Sequence, residues 1–199
     1  MDENCDFQVR RVSRLAPLLA LIIALASCDD AMSPDISADA GYPLASWAVS
    51  QDFGRWNDYF GGYHLAEDVD VVAGVPVLAM ADGVVKEIYS SRTEPGYGAV
   101  MLIEHRFQDQ VVVSLYGHLS SSRGFAVRMG DTVSKGQLVA WIASDDEDGG
   151  PWGPHLHFGI RKGLYSADGT ICGVWLYVGY TRECAGMSHS EYLQMWLDP

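Results

Sequence analysis

Two short clusters in this 199-residue chain hold histidines at spacings that can do chemistry. His155-Leu156-His157 places two imidazoles at i and i+2. In a strand those rings project from one face while Leu156 turns to the other, so one ring can hold a metal while its neighbour faces the same small volume of solvent. The second cluster, His64-Leu65-Ala66-Glu67-Asp68, puts a carboxylate four residues after a histidine. On a flat strand those two Cα atoms would stand about 13 Å apart, which strains two ligands whose metal bonds are only about 2 Å long. The segment must therefore bend, or His64 must sit on a loop leading into the strand, and Gly61-Gly62 just before it permit such a path. Glu67 is the competing carboxylate, and its side chain points the other way if Asp68 faces His64.

Two imidazoles and one carboxylate form a borderline-soft donor set that suits Zn2+. Three protein ligands leave a fourth position for water, the pattern of a catalytic site rather than a structural one. Zinc makes water acidic enough to supply hydroxide near neutral pH. A structural site would draw on cysteines, and here they lie elsewhere in the sequence.

The segments that must position these residues read as strands. Val75–Val77, Val84–Tyr89, Val100–Ile103, Val111–Tyr116 and His155–Ile160 are short β-branched or aromatic runs. Glycine-rich turns such as Asp82-Gly83, Met129-Gly130-Asp131 and Lys135-Gly136 punctuate them. Short strands at this spacing predict a mainly β, antiparallel domain. Near the end, Ser188-His189-Ser190-Glu191 fits a capping box, with Tyr192, Leu193, Trp196 and Leu197 following at helical spacing, so one short C-terminal helix is expected there.

Three blocks in order resemble the lysostaphin/LytM-type zinc endopeptidases, which cut peptide cross-links in peptidoglycan. The first is His64-Leu65-Ala66-Glu67-Asp68, running on to Gly74-Val75-Pro76-Val77 and Ala81-Asp82-Gly83. The second is Tyr116-Gly117-His118-Leu119-Ser120, followed by Gly130-Asp131-Thr132-Val133. The third is Gly153-Pro154-His155-Leu156-His157-Phe158. The resemblance implies an antiparallel sheet or sandwich of the duplicated hybrid motif type. It implies one zinc ion on His64, Asp68 and His157, with His118 and His155 flanking the nucleophilic water as catalytic residues. It also offers Tyr59 as a groove tyrosine. Trp152, in the acidic loop that leads into the third block, is expected either as a groove wall or as core. The chain departs from the family at Ala66, where glycine is usual, and at Gly159, where glutamate is frequent. His105 is expected to be structural, and His189 solvated.

The ends of the chain frame this domain. Arg10, Arg11 and Arg14 precede the apolar run Leu15–Ala26, which is too short to span a membrane and suits a signal-peptide core. Leu25-Ala26-Ser27-Cys28 resembles a lipobox, which implies an exported lipoprotein tethered by an acylated Cys28 and facing the periplasm or cell envelope. The expected organisation is a leader at 1–27, a small, polar, acidic linker at 28–45 and a domain at 46–199. That domain comprises a core at 63–160 and an extension at 161–199. With the leader removed, Cys172 and Cys184 remain as an even pair in an oxidising compartment and are expected to form a disulfide. The extension also holds Val174–Tyr177, expected as an extra strand or hairpin that caps one end of the groove or covers a sheet edge. A formal net charge of −13 argues against nucleic acid as a partner. The family resemblance implies the peptide part of peptidoglycan as the substrate. The alternative is a non-enzymatic relative that binds and activates other wall hydrolases, against which all five site residues stand.

Overall fold

The structure, a computed structural model, describes residues 39–89, 98–107, 110–148 and 152–199. The leader, Cys28 and the linker up to residue 38 lie outside the described residues, as does the 149–151 stretch of the loop before the third block. The chain divides after Ser33, and everything below belongs to the second unit, Pro34–Pro199. Among the described residues no helix is long and apolar enough to cross a membrane.

The elements run in the order β1 (Val49–Gln51), β2 (Trp56–Asn57), β3 (Gly62–Tyr63), β4 (Glu67–Asp70), β5 (Pro76–Leu78), β6 (Gly83–Tyr89), β7 (Ala99–Phe107) and β8 (Gln110–Leu119). They continue with β9 (Thr132–Val133), β10 (Leu138–Trp141), the single-turn α1 (Asp145–Asp148), β11 (His155–Lys162), β12 (Thr170–Ile171), β13 (Val174–Trp175), α2 (His189–Leu193) and β14 (Trp196–Leu197). Eight strands form one sheet in the order β1-β4-β11-β8-β7-β6-β9, with β14 also paired to β11. Its pairs are antiparallel, as the strand pattern predicts.

Both faces of this sheet are covered, which is why its central strands are apolar nearly throughout. One face carries Val85, Met101, Ile103, Tyr116, Leu156 and Phe158, packed under the β5–β10 ribbon through Val77, Val139 and Ala140. The opposite face carries Val100, Leu102, Val113 and Leu115, and the C-terminal extension covers it with Leu176, Tyr177, Tyr192 and Trp196. Period-two alternation sends successive residues of one strand into these two cores. The extension therefore packs over this sheet face, and β12 and β13 form a small hairpin within it.

Three expectations change. The linker, placed at 28–45, is already packed from Gly41: its N–H bonds Met80 O at 2.8 Å, Leu78 N–H bonds Pro43 O at 2.8 Å, and Leu44 is buried in the core. The capping box forms, with Ser188 N–H bonding Glu191 Oε2 at 2.8 Å and Glu191 N–H bonding Ser188 Oγ at 3.3 Å. However, α2 stops at Leu193, and Trp196 and Leu197 turn back as β14 against Arg161 and Ile160. Burial of the Trp196 ring over Gly159 outweighs the helical spacing that the sequence displays. Finally, His189 is not solvated but half-buried, its Nδ1 lying 2.7 Å from Thr181 Oγ1 and its ring packed edge-on to Trp56.

Candidate metal centre

Cross-strand register builds the site. On β11, His155 stands opposite Asp70 and His157 opposite Asp68 of β4; on its other side His157 stands opposite Gly117 of β8. Asp68, His157 and Gly117 therefore form one row across three strands. Leu156 and Val69 point into the core on the other face. Glu67, next to Asp68, also faces away and accepts the Trp47 indole N–H at 2.6 Å.

His64 lies between β3 and β4, where the chain bends as the ligand spacing requires. Its N–H bonds Arg55 O at 2.8 Å and its carbonyl accepts Gly54 N–H at 2.8 Å. On the other side it forms an isolated antiparallel bridge with Tyr180. The ring is fully buried, and its Nδ1 lies 3.2 Å from Asp52 O. Donation to that carbonyl leaves the Nε2 lone pair facing Asp68 and His157.

Three donor atoms converge there. His64 Nε2 lies 3.3 Å from Asp68 Oδ1 and 3.2 Å from His157 Nδ1, and Asp68 Oδ1 lies 2.8 Å from His157 Nδ1. Ligand atoms around a tetrahedral ion with bonds of about 2.0–2.1 Å are roughly 3.3 Å apart. The observed triangle is near that size, so these residues fit one zinc ion. The electrostatics agree. Burial holds the His157 pKa down to about 4 against the pull of Asp68, so the ring is neutral, the form that ligates a metal. Burial would raise the Asp68 pKa, but facing His157 and His64 drives it far below the usual carboxylate range.

Two further imidazoles stand beside the triangle. His155 Nε2 is 4.0 Å from Asp68 Oδ1, and its Nδ1 is 2.9 Å from Gly153 O. The His118 ring centroid is 4.0 Å from that of His155 and 6.1 Å from that of His157. His118 reaches this position through a bulge. Between the pairs Ala99–Leu119 and Met101–Tyr116, β8 advances three residues while β7 advances two. Gly117 and His118 share the extra space, and His118 adopts φ 58°. A left-handed conformation at a non-glycine residue costs about 1–3 kcal/mol and is held only where the surroundings fix it. Here the His118 carbonyl accepts Ala143 N–H at 2.9 Å. Gly117 leaves room for His157, whose Cβ would lie 3.2 Å from a Cβ at 117.

The two groove candidates are differently placed. Trp152 is half-buried, its ring 6.3 Å from His118 and 6.0 Å from Phe60. Tyr59 is 82% exposed, with its ring on Phe60. A second tyrosine, Tyr180, packs on His64, its ring 5.1 Å away and stacked on Phe60 at 4.2 Å. Spacing gave no sign of it, because it lies in the extension beyond the three motif blocks. His105 is away from the site and fully buried, bridging Asp82 O at 2.9 Å and Ser114 Oγ at 2.7 Å. Cys172 and Cys184 are joined in a disulfide, with Cα atoms 5.4 Å apart.

Known proteins resemble part of this chain. Over 99 residues the chain is 37% identical to glycyl-glycine endopeptidase ALE-1 of Staphylococcus capitis, which covers 49% of this chain and 24% of the relative. It is 36% identical over 98 residues to lysostaphin of Staphylococcus simulans, covering 49% of this chain and 18% of that protein. The chain thus spans a quarter or less of these relatives' own length. Among solved structures, lysostaphin superposes with a TM-score of 0.51 at 27% identity, over 66% of this chain and 50% of that one. The catalytic domain of the prophage-encoded M23 protein EnpA from Enterococcus faecalis gives 0.50 at 28% identity, over 64% and 89%. The model of peptidase family M23 matches residues 62–169, more than half of the sequence and the whole of the five-residue site. The chain belongs to peptidase family M23.

Proposed function

We propose that this protein is a zinc-dependent endopeptidase that hydrolyses peptide cross-links of bacterial peptidoglycan. The observation that supports this most is the triangle of His64 Nε2, Asp68 Oδ1 and His157 Nδ1, flanked on one side by the His118 and His155 rings. Those three residues would hold the ion. When bound, zinc supplies Lewis acidity that brings the pKa of water towards neutrality.

The remaining residues do ordinary proton and dipole work. His155 Nδ1–H donates to Gly153 O, so in the neutral ring Nε2 is the acceptor, and it lies 4.0 Å from Asp68 Oδ1. That tautomer suits a general base taking a proton from the attacking water and returning it to the leaving amine. His118, held beside it, suits stabilisation of the negative charge that develops on the scissile carbonyl oxygen. Tyr59, Phe60 and Trp152 form an aromatic border along which a peptide can lie. The leader, followed directly by Cys28, supports export and lipid anchoring, which would bring the site to the cell wall.

Digestion of purified peptidoglycan tests this reading. Wild-type protein should release new amino termini, chelator should abolish the release, and His118→Ala should reduce it at least 100-fold. No new termini from zinc-loaded wild type would overturn the enzyme reading and favour a wall-hydrolase activator. Labelling with a radioactive fatty acid, compared with Cys28→Ala, tests the anchor.

A further inference from the structure

The family match ends at residue 169, yet His64 is held from beyond it. The residues on either side of His64 are tied to the extension: Thr181 N–H bonds Tyr63 O at 2.9 Å, and Leu65 N–H bonds Gly179 O at 2.9 Å. Thr181 Oγ1 also accepts Tyr63 N–H at 2.8 Å. Together with the bonds from Gly54 and to Arg55, these make His64 the centre of a three-segment patch. One of its three segments is 179–181. The strands bearing Asp68 and His157 are fixed by the main sheet, whereas His64 sits outside it and relies on this patch for its position.

Side chains reinforce the backbone. The Tyr180 ring packs on His64 at 5.1 Å and is itself pinned, stacked on Phe60 at 4.2 Å with its hydroxyl accepting Gln51 Nε2–H at 2.8 Å. Thr181 is fully buried and its Oγ1 meets His189 Nδ1 at 2.7 Å, at the capped start of α2. The Cys172–Cys184 disulfide closes the stretch that contains Gly179, Tyr180 and Thr181. On the receiving side, a Cβ at Gly62 would collide with Thr181 O, so the close approach requires glycine there.

We propose that Tyr180 and Thr181 are positioning residues for His64, so that the C-terminal extension sets the affinity of the metal centre. The inference rests on the zinc reading above. It makes the extension more than a cover over a sheet face: it completes a ligand that the matched region contains but does not by itself hold.

The experiment is zinc affinity of the purified full chain, measured by competition with a fluorescent chelator. Thr181→Val keeps the shape of the side chain and removes both hydrogen bonds of its hydroxyl. It should weaken zinc binding about 10-fold or more, the scale on which outer partners of metal ligands act. Thr181→Ser restores the hydroxyl and should return affinity to within about twofold of wild type. Tyr180→Phe keeps the ring and loses the bonds that its hydroxyl accepts from Gln51 and Asn57, a milder change to the buried packing; it should weaken zinc binding by roughly threefold. Far-ultraviolet circular dichroism and melting temperature separate misfolding from positioning. If folded Thr181→Val and Tyr180→Phe both hold zinc as tightly as a zinc-binding wild type, the inference is wrong and the metal reading survives. If wild-type protein itself takes up no zinc, both are wrong.

Discussion

Replacing Gly159 with alanine tests whether the extension and the ligand segment are packed as closely as described. A Cβ at this position would lie 2.6 Å from Leu65 O and 3.0 Å from the nearest Trp196 ring carbon. A comfortable C···O contact is about 3.3 Å, so roughly 0.7 Å must be found. Neither neighbour yields easily: Leu65 is fully buried and bonded through its N–H to Gly179 O, and Trp196 is buried at the end of the chain. Overpacking of this kind costs about 1–3 kcal/mol, while losing a glycine from the unfolded chain returns about 0.4–1 kcal/mol. The net expectation is a loss of about 1–2 kcal/mol, or a melting temperature lower by about 3–6 °C for a domain of this size. Gly153→Ala is the control, because among the described residues no heavy atom lies within 4 Å of its Cβ. Differential scanning calorimetry of the two variants beside wild type reads the difference. A Gly159→Ala protein that melts within 1 °C of wild type would refute the packing argument.

Other outcomes follow from the same geometry. Asp68→Asn removes the one anionic ligand, and equilibrium dialysis should show zinc retention reduced at least tenfold, with the fold kept. Metal-free protein should lose stability in mild acid. The folded-state pKa values of His105 and His157 are both lowered by burial, that of His157 to about 4. The unfolded chain therefore takes up protons that the folded chain refuses. This stability is full above about pH 6.5, the unfolded value, and falls as pH drops towards 4; urea midpoints that stay level from pH 7 to 5 would contradict it. Reducing the Cys172–Cys184 bond with a phosphine should cost at most about 3 kcal/mol from loop entropy. The calorimetric shift should vanish in a Cys172→Ser/Cys184→Ser double variant.

The sequence displayed the parts of the site that depend on local periodicity. A period of two was enough to place His155 and His157 on one face and Leu156 on the other, where β11 has them. The length of an extended chain was enough to require a bend between His64 and Asp68. His118 was legible only through resemblance, since regular alternation would have turned it into the core beside Tyr116. What placed it was an irregular register between β7 and β8, which no single-strand pattern reveals. The extension was least legible. Trp196 and Leu197 continue a helical spacing but are claimed by an edge of β11, and Tyr180 meets His64 across most of the chain's length. Those contacts are long-range packing choices, and packing overrides local propensity at short elements.

The bulge at Gly117-His118 has a consequence for how this site can vary. A regular ladder offers each strand one side-chain slot per row, and the row at His157 is already crowded. Two residues of β8 occupy that single slot: one gives up its side chain so that its neighbour across the sheet can keep its place, and the other supplies an imidazole from a backbone angle few residues tolerate. Deleting either residue would straighten the strand and leave Tyr116 and Leu119 in their core positions, so the fold would survive. The shortened protein would then have to choose between a histidine without room and room without a histidine.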